Sequence, residues 1–465
     1  MKRLYLILCA FLLLIQIRNV YSQDRAWDLS ESREWRDAVI PGLIATGETL
    51  FWNVLPLSFN AAIGESWALP TASSIRRNLT SRWVWEKTDD FVVNHIGHPY
   101  HGSLYFSSGR ANGFGFYGSM FFSLLGSFSW EAFGESNKAS FNDFVSTSVG
   151  SVSIGEILYR LYAEAHAAGI PAPLAFIINP TAGLNRLLTG WKPSAGRNLY
   201  RFQVSLGMGY AETGFLASRS GLEWKAFSFK GPFVGIGIKA VYGNPFEQST
   251  WVPYRHFELA TSLAVNPGSY SDFRITSEGY LFSFSPVYTE KNAVSTGLSL
   301  HFDFVSLGKF SARNSTISQF NNALAWTIKY QHLFSQDTAL QVKLHAGYTF
   351  MGASNYYSPL TKNKDLNNYG YGLTIKRSYR MEHGKRDVLE LDRYYYIMWT
   401  YPGRDPYSQG AVHWQYSNLS YSHFISEDLS LGISIFSAKE NGTYNWYPET
   451  RKRNEAVMLF VAWNL

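Results

Sequence analysis

One stretch of the sequence, residues 94–160, holds most of the side chains whose types and spacing could do chemistry. A serine-type hydrolase needs a hydroxyl nucleophile, a histidine base and an acid that orients the histidine. The stretch offers candidates for each role: Ser103, Ser107 or Ser108 as nucleophile, His98 or His101 as base, and Glu131 or Asp143 as the orienting acid. None of these serines lies in a Gly-x-Ser-x-Gly pattern, the usual setting of an exposed nucleophile. A hydrolase or transferase built on His98, Ser103, Glu131 and Asp143 is therefore an alternative hypothesis.

The three histidines at positions 95, 98 and 101 also raise the question of a metal site. Zinc sites usually combine a short-spaced pair of ligands with a third ligand from a distant part of the chain. Pro99 predicts that no continuous helix runs through all three histidines. We therefore expect no metal at this cluster. Gly113-Phe114-Gly115 has no strand before it and no helix context typical of a nucleotide loop, so we expect no cofactor either.

The favoured hypothesis for this stretch is a buried network in which polar side chains satisfy one another. Buried histidine, arginine, amide and carboxylate groups need hydrogen-bond partners, and together they can supply them. Arg110 is expected to pair with Glu131 or Asp143. The predicted network consists of Asn94, His98, Arg110, Glu131, Asn142, Asp143 and Glu156.

These residues follow one another in the order of a known motif set. The set comprises an Asn-x-x-x-His-Pro-x-x-Gly element, a Tyr and an Arg soon after it, a Trp-Glu, an Asn-Asp and a Gly-Glu. The matching residues are Asn94, His98, Pro99, Gly102, Tyr105, Arg110, Trp130, Glu131, Asn142, Asp143, Gly155 and Glu156. Residues 85–165 thereby resemble the bacterial outer-membrane family called domain of unknown function 3943. The resemblance implies a location in the cell envelope and no particular activity.

Downstream of about residue 195 the sequence alternates apolar and polar residues with period two. The segment 294–304 places Val, Leu and Phe on one face and Ser, His and Asp on the other, and segments 234–242, 340–350 and 429–435 behave alike. Such alternation indicates strands with one apolar face. Segments of about ten residues suit tilted strands that cross a membrane. We predict a transmembrane antiparallel β-barrel of 12–14 strands over residues 196–465, with thirteen strand starts that include separate ones near 220 and 233.

Connections and aromatic residues support the barrel. Tight turns at 335–337 and 426–428 alternate with longer polar segments at 351–367, 400–410 and 438–455, as in barrels with short periplasmic turns and long outer loops. Aromatic clusters at 356–357 and 394–396 are expected to anchor strand ends at the membrane interface. The chain ends on the alternating set Val457, Leu459, Val461, Trp463 and Leu465, typical of outer-membrane barrels although most end in an aromatic residue. A large soluble β-sandwich is the alternative, but it tolerates fewer outward apolar faces.

The N-terminal part differs in character from the barrel. Lys2 and Arg3 followed by an apolar run to Ile17 predict a cleavable signal peptide over residues 1–22. The chain has one cysteine, Cys9, inside that run, so the mature protein has no disulfide, no thiolate metal site and no lipid-anchor cysteine. Residues 23–195 are expected to form a mostly helical segment that packs in the lumen or at the periplasmic mouth. The small residues Gly115, Gly118, Ser119, Ser123 and Gly126 favour close packing within protein.

Composition limits the function. The formal net charge of +6 falls to about +3 without the signal peptide, which is too weak and dispersed for nucleic acid binding. An aromatic content of 17% beside a charged content of 16% favours a surface in contact with lipid. We predict a Gram-negative outer-membrane barrel with a structural, transport or envelope-assembly role. Its expected partners are outer-membrane lipid and, during biogenesis, the barrel-assembly machinery. An enzyme acting on envelope lipid or peptide is the alternative.

Overall fold

The computed structural model describes most of the chain, and the contacts within it divide the chain into two compact units. The described residues are 39–85, 90–190, 193, 198–219, 222–247, 249–266, 270–308, 317–357, 365–384, 386–401, 409–446 and 448–464. One unit comprises Met1–Glu86 and Ile96–Asn198, and the other comprises Lys87–His95 and Leu199–Leu465. The predicted signal peptide at 1–22, with Cys9, lies outside the described residues, as does Leu465.

The first unit is built of helices, as predicted. The helices are α1 (Val39–Ala62), α2 (Ala72–Thr80), α3 (His98–Ala111), α4 (Phe116–Ser129), α5 (Phe141–Ser148), α6 (Gly150–Ala167), α7 (Ala172–Ile178) and α8 (Pro180–Thr189). A 3₁₀ turn forms Ser66–Ala68, and π-helical turns form Val93–Gly97 and Trp130–Gly134. In the described chain, no helix combines the length and the hydropathy that crossing a bilayer requires. The packing of these helices in the lumen or at the periplasmic mouth stays a prediction.

Pro99 does not interrupt the chain as the sequence suggests. It occupies the first turn of α3, directly after the π-helical turn Val93–Gly97. A proline is tolerated in the first turn of a helix because its missing N–H has no helical partner there. The expectation that no helical path joins His95, His98 and His101 is therefore wrong.

Small residues allow the helices of the first unit to approach closely. A Cβ on Gly102 in α3 would lie 1.7 Å from the carbonyl oxygen of Thr147 in α5, which is closer than atoms can approach. A Cβ on Gly126 in α4 would lie 2.4 Å from the ring of Tyr105. Ser119 and Ser123 are fully buried. Close packing was predicted at Ser119, Ser123 and Gly126 but not at Gly102, where it explains the glycine of the His-Pro-x-x-Gly motif. It was also predicted at Gly115, where an added Cβ would meet no atom within 4 Å.

The second unit is a closed barrel of twelve antiparallel strands, within the predicted range of 12–14. Its strands are β1 (Leu199–Arg219), β2 (Leu222–Tyr242), β3 (Phe257–Asn266), β4 (Tyr270–Tyr288), β5 (Asn292–Gly308), β6 (Ile317–Ser335), β7 (Thr338–Tyr357), β8 (Asp365–His383), β9 (Asp387–Thr400), β10 (Gly410–Phe424), β11 (Leu429–Tyr444) and β12 (Glu449–Asn464). Each strand pairs with its sequence neighbour, and β1 closes the barrel on β12. The thirteenth predicted start disappears because the segments near 220 and 233 form the single strand β2.

All strands except β3 are longer than the ten residues expected, because the alternation continues beyond the apolar part of the strand. In β12 the outward positions are charged from Glu449 to Glu455 and apolar from Val457 to Trp463. The segment 438–455, predicted as a loop, therefore belongs largely to β11 and β12, which are joined by a short connection. The apolar outward band is shorter than the strands that carry it, so the barrel extends beyond this band at one end.

Polar and ionisable side chains point into the barrel while apolar side chains point outward. In β6, for example, Thr327 and Lys329 are buried inside, whereas Trp326 and Ile328 are exposed outside. Tyr396, predicted to anchor the membrane interface, is instead buried in the lumen, where its ring packs against Trp414. That prediction is wrong because neighbouring residues in a strand alternate between the two faces.

A short segment between α2 and α3 belongs to the barrel unit. The ring of His95 lies 4.8 Å from that of Phe320 in β6 and 5.6 Å from that of Tyr369 in β8. Asn94 Nδ2 donates a hydrogen bond to the Tyr369 hydroxyl at 3.0 Å. Alternation along β6 and β8 places Phe320 and Tyr369 on the outward face. Residues 90–95 therefore cover part of that face beyond the exposed apolar band.

Candidate functional site

Most residues of the predicted network lie in the helical unit, where they form two separate groups. In the first group His98 starts α3 and faces α5. His98 Nδ1 lies 3.1 Å from Thr147 Oγ1, and His98 Nε2 lies 3.8 Å from Asp143 Oδ1. Asn142 Nδ2 donates to the same Asp143 oxygen at 2.8 Å. These contacts tie the beginning of α3 to α5 within one unit.

Glu131 joins the first group through the turn that begins α5. Its Oε2 accepts a hydrogen bond from the backbone N–H of Ser140 at 2.6 Å. Ser140 caps α5, because its hydroxyl oxygen accepts from the N–H of Asp143 at 3.3 Å. A side chain at this position satisfies an N–H that the helix itself leaves without a partner. Glu131, Asn142 and Asp143 are all buried, and their contacts hold the α5 N-terminus in place.

The second group pairs Arg110 with Glu156, not with Glu131 or Asp143 as the sequence suggested. Arg110 Nε lies 2.9 Å from Glu156 Oε2, and Arg160 Nε lies 2.7 Å from Glu156 Oε1. Arg160 is four residues from Glu156 on α6, so that pair is set by the helix itself. All three side chains are buried. The Arg110 partner differs because the packing of α3 against α6 decides it, and sequence spacing does not contain that packing.

The predicted catalytic set is not brought together in the way a nucleophile needs. Ser103 donates its hydroxyl hydrogen to the carbonyl oxygen of Tyr100, 2.6 Å away and one turn earlier in α3. His98 contacts Thr147 and Asp143 instead. A base must lie within hydrogen-bond reach of its nucleophile. Ser107 accepts a hydrogen bond from Asn179 Nδ2 at 2.8 Å, and Ser108 donates to the carbonyl of Leu104. The geometry therefore favours structural roles for these serines.

Two further polar groups of the helical unit were not part of the predicted network. His101 Nε2 lies 2.8 Å from the carbonyl oxygen of Trp52 and 2.9 Å from the Tyr105 hydroxyl, which also bonds to Asn53. Burial lowers the pKa of His101 to about 4, with the charge of His98 acting in the same direction. The spacing of the histidines indicated a polar site. The partners Trp52 and Asn53 lie in α1, where no residue matched the motif set.

Glu48 is the second of these groups. It is the sole charged residue of α1 and is fully buried. Asn112 Nδ2 donates to one of its oxygens at 2.8 Å, and Asn185 Nδ2 donates to the other at 2.9 Å. Burial raises the pKa of Glu48 to about 8, although the two amide donors favour the charged form. A single charged residue in an otherwise uncharged helix could have been recognised from the sequence.

The barrel interior holds a larger set of charges, and several of their contacts cross the lumen. Lys239 Nζ in β2 lies 2.6 Å from Glu390 Oε2 in β9, and Arg380 Nε in β8 lies 2.7 Å from Glu382. Arg380 also pairs with Glu390. Arg201 in β1 reaches Glu382 at 3.5 Å. Strands β2 and β9 stand five strands apart around the barrel, as do β1 and β8. The pairs Lys239–Glu390 and Arg201–Glu382 therefore span the lumen, whereas the two contacts of Arg380 lie within β8 and between the neighbouring strands β8 and β9.

Further contacts cross the lumen deeper in the barrel, farther from the end that holds Leu199 and Asn464. Arg274 in β4 lies 4.1 Å from the ring centre of Phe436 in β11. That ring belongs to an apolar cluster inside the barrel with Trp414 and Tyr396. Beyond it, Lys452 Nζ in β12 donates to the carbonyl oxygen of Asn355 in β7 at 2.6 Å. Side chains thus meet across the lumen at successive levels along the described strands.

Between the level of Lys239 and Glu390 and the level of Arg274 and Phe436 lies a dense cluster of charges and histidines. Lys329 Nζ lies 2.7 Å from Glu258 and 2.7 Å from Glu278, and Lys343 Nζ lies 2.5 Å from Glu258. Lys376 Nζ lies 2.6 Å from Asp303. Carboxylates and lysines alternate, so each buried charge has an opposite charge beside it. Such pairing is what makes charges tolerable in a water-poor interior.

Two cavities occupy the end of the lumen that holds the start of β1 and the end of β12. One has a volume of about 220 Å³ and the other about 160 Å³. Both are lined by Arg201, Lys239, Arg380 and Glu390. The ion pairs that cross the lumen therefore lie between the two cavities. We call the two cavities together the vestibule.

The comparisons with known proteins agree with part of these predictions. A family model described as domain of unknown function (DUF3943) matches residues 82–180, which confirms the resemblance predicted over residues 85–165. No curated protein matches the chain.

Several solved structures are similar to the chain at low identity. A NanC porin is 8% identical over 55% of this chain and 100% of the porin, with a TM-score of 0.26. The toluene transporter TodX of P. putida is 11% identical over 57% of this chain and 90% of the transporter, with a TM-score of 0.25. The KdgM porin is 10% identical over 54% and 98%, with a TM-score of 0.21. Values this low show no shared ligand, and the barrel assignment stands on the chain's own strand pairing.

Proposed function

We propose that this chain is a non-enzymatic β-barrel of a Gram-negative outer membrane, and that the barrel is a gated conduit for small polar solutes. The observation that carries the proposal is the vestibule, a charged space inside the barrel that is divided by ion pairs crossing the lumen. The support for a conduit is that a solvent-sized space lies next to charges that obstruct the lumen.

The outward face supports the membrane location. Exposed positions carry large apolar side chains on eleven of the twelve strands, among them Leu206, Ile236, Leu373, Ile433 and Leu459. Soluble proteins rarely expose continuous apolar surface, whereas lipid-facing barrel positions require it. Lipid is then the direct partner of this band, and the barrel-assembly machinery is the partner expected during insertion.

Orientation follows from the connections. At the end that holds Leu199 and Asn464, four of the five connections have two to four residues, and the fifth, between β2 and β3, has fourteen. At the other end, three of the six connections, those after β5, β7 and β9, have seven to nine residues, and the other three have two to four. Because outer-membrane barrels have short periplasmic turns, the vestibule opens toward the periplasm. Solutes would enter or leave the barrel there.

Conductance of the reconstituted full-length mature chain tests the gated conduit. We expect low conductance for the wild type in a planar lipid bilayer at moderate salt, because side chains meet across the lumen at successive levels. Glu390→Gln removes the charge that Lys239 and Arg380 share at the first of these levels, and we expect it to raise conductance. Conductance at the bilayer background for both proteins would contradict a conduit and leave a structural role.

The matched control removes an ion pair outside the lumen. Glu212 and Arg453 lie 3.2 Å apart on the exposed face of β1 and β12. Glu212→Gln changes the same carboxylate to the same amide, and we expect wild-type conductance. An equal rise in both variants would show that general loosening of the barrel, and not the lumenal ion pairs, opens it.

A further inference from the structure

We propose that Glu278, His301 and His345 form a binding site for Zn²⁺ inside the barrel. The three residues come from β4, β5 and β7. One carboxylate oxygen of Glu278 and one ring nitrogen of each histidine lie within 4.8 Å of one another. Both histidines are buried, and the side chain of Glu278 is 13% exposed. The inference does not depend on the proposed conduit, because it concerns a set of donor atoms and not a path.

The donor set suits zinc. Two imidazoles and one carboxylate form a common three-ligand set for Zn²⁺, with a fourth position left for water. His345 Nε2 and Glu278 Oε2 lie 3.0 Å apart. Two donors bound to one tetrahedral zinc ion at ordinary bond lengths lie about 3.3 Å apart. The pair therefore needs a shift of only a few tenths of an ångström to share one ion.

That contact also defines what the metal would replace. A ring nitrogen and a carboxylate oxygen at hydrogen-bond distance need either a proton or a cation between them. Zinc would take the place of this proton, which would leave to solvent when the ion binds, as is usual where ligands must be deprotonated. No bond of the protein is otherwise broken at His345.

Hydroxyl groups orient both rings from the far side. His345 Nδ1 lies 2.7 Å from Thr327 Oγ1, and His301 Nε2 lies 2.8 Å from Ser299 Oγ. The two hydroxyls lie 2.5 Å from each other, so one chain of hydrogen bonds fixes both imidazoles. Metal-binding histidines usually use their second nitrogen in this way, and the contact fixes the ring orientation. His345 Nε2 and His301 Nδ1 are the nitrogens left for the ion.

The lysines nearby decide which cation the site can take. His301 Nδ1 lies 3.1 Å from Lys376 Nζ, which must give up that contact and keep the one to Asp303 at 2.6 Å. Lys329 occupies the other oxygen of Glu278. Lysine charges oppose any cation, so binding must rest on the affinity of imidazole for zinc. Ca²⁺ and Mg²⁺ prefer oxygen ligands and are expected not to bind.

Zinc binding by the full-length mature chain in detergent tests the site. The chelator-treated protein is dialysed against Zn²⁺, and bound metal is counted by mass spectrometry. We expect one zinc per chain for the wild type, and at least a tenfold weaker affinity for His345→Gln and His301→Gln. The control is His423→Gln, which changes an exposed histidine that pairs with Asp387 at 2.9 Å and should leave zinc binding unchanged.

Two outcomes would overturn the site. One is wild-type protein that holds no zinc after dialysis, and the other is undiminished zinc in folded His345→Gln protein. If the histidine variants fail to fold, the visible spectrum of Co²⁺ bound to the wild type decides instead. A tetrahedral Co²⁺ spectrum that Zn²⁺ displaces supports the site, whereas an octahedral or absent spectrum contradicts it.

Discussion

Lys239 Nζ lies 2.6 Å from Glu390 Oε2, although the strands that carry them stand five strands apart around the barrel. The pair therefore reaches from one side of the lumen to the other, and Arg380 holds the same carboxylate. Two long side chains that meet in mid-lumen obstruct it more than the same residues lying along the wall would. If they act as a gate, removing either partner should have a related effect.

The first prediction concerns the coupling of these two residues. We expect Lys239→Met and Glu390→Gln each to raise single-channel conductance, and the double variant to raise it no more than the larger single effect. Both changes break the same contact, and mutations that act through one shared contact are not additive. Single-channel recordings of the four proteins at one salt concentration measure this. Fully additive increases would mean that the two residues obstruct the lumen independently.

The second prediction concerns the glycine of the His-Pro-x-x-Gly motif. Gly102→Ala would place a methyl group on the carbonyl oxygen of Thr147, so α3 and α5 must separate. Overpacking of this kind costs about 1–3 kcal/mol. We expect the helical unit to become protease-sensitive at lower urea, while the barrel keeps its heat-modifiable migration on gels.

The matched control for this change is Gly47→Ala. Gly47 lies within α1 and has no atom within 4 Å of an added Cβ. Alanine is the better helix former by up to about 1 kcal/mol, so this variant should resist protease as well as the wild type or better. Equal loss of resistance in both variants would show that the contact with Thr147 is not the cause.

Period-two alternation made the barrel predictable, because a strand records its two faces in every second residue. The alternation predicted the positions of most strands and the approximate number of strands. It did not give the strand ends, because alternation continues past the apolar band with charged residues outside, as at Arg451 and Arg453. Nor did it show that residues near 220 and 233 form one strand, since a Gly-Pro at 231–232 interrupts the pattern without ending β2.

The site was predictable only where partners are close in sequence or share a motif. Asn142, Asp143 and Glu131 meet around one turn, and their proximity could be inferred. Lumenal residues such as His345 and Lys343 were visible on the polar face of their strands. Their partners were not, because a contact across the barrel depends on strand number and register, which local sequence does not encode.

The third prediction concerns pH and Glu48. Because burial raises its pKa from 4.5 to about 8, the folded helical unit keeps a proton that the unfolded chain releases. The free energy of unfolding should therefore decrease as pH rises through this range. The pKa of His101 is lowered from 6.5 to about 4, so its titration makes the free energy of unfolding increase with pH below pH 6.5. The interval from 6.5 to 8 lies above the range in which His101 contributes.

Over that interval we expect the helical unit to lose about 2 kcal/mol of stability, since each pH unit contributes about 1.4 kcal/mol. Protease resistance in urea at the two pH values measures the change. Glu48→Gln cannot ionise and should show little difference between pH 6.5 and 8. A decrease that persists in Glu48→Gln would assign the pH dependence to another group.

The last prediction separates a structural His98 cluster from a catalytic one. An enzyme that uses Ser103 as nucleophile and His98 as base loses activity equally when either residue becomes alanine, and both variants fold. A structural cluster behaves differently. His98→Ala removes the partner of Thr147 and Asp143, whereas Ser103→Ala removes one hydrogen bond to a carbonyl in its own helix.

We therefore expect His98→Ala to lower the protease resistance of the helical unit and Ser103→Ala to leave it close to the wild type. Both proteins should insert as heat-modifiable barrels, and the lipid profile of cells that carry either variant should match that of the wild type. If both variants fold like the wild type and the same lipid or peptide modification disappears from the envelope of both strains, the cluster is catalytic, because packing alone cannot make two such different substitutions equivalent.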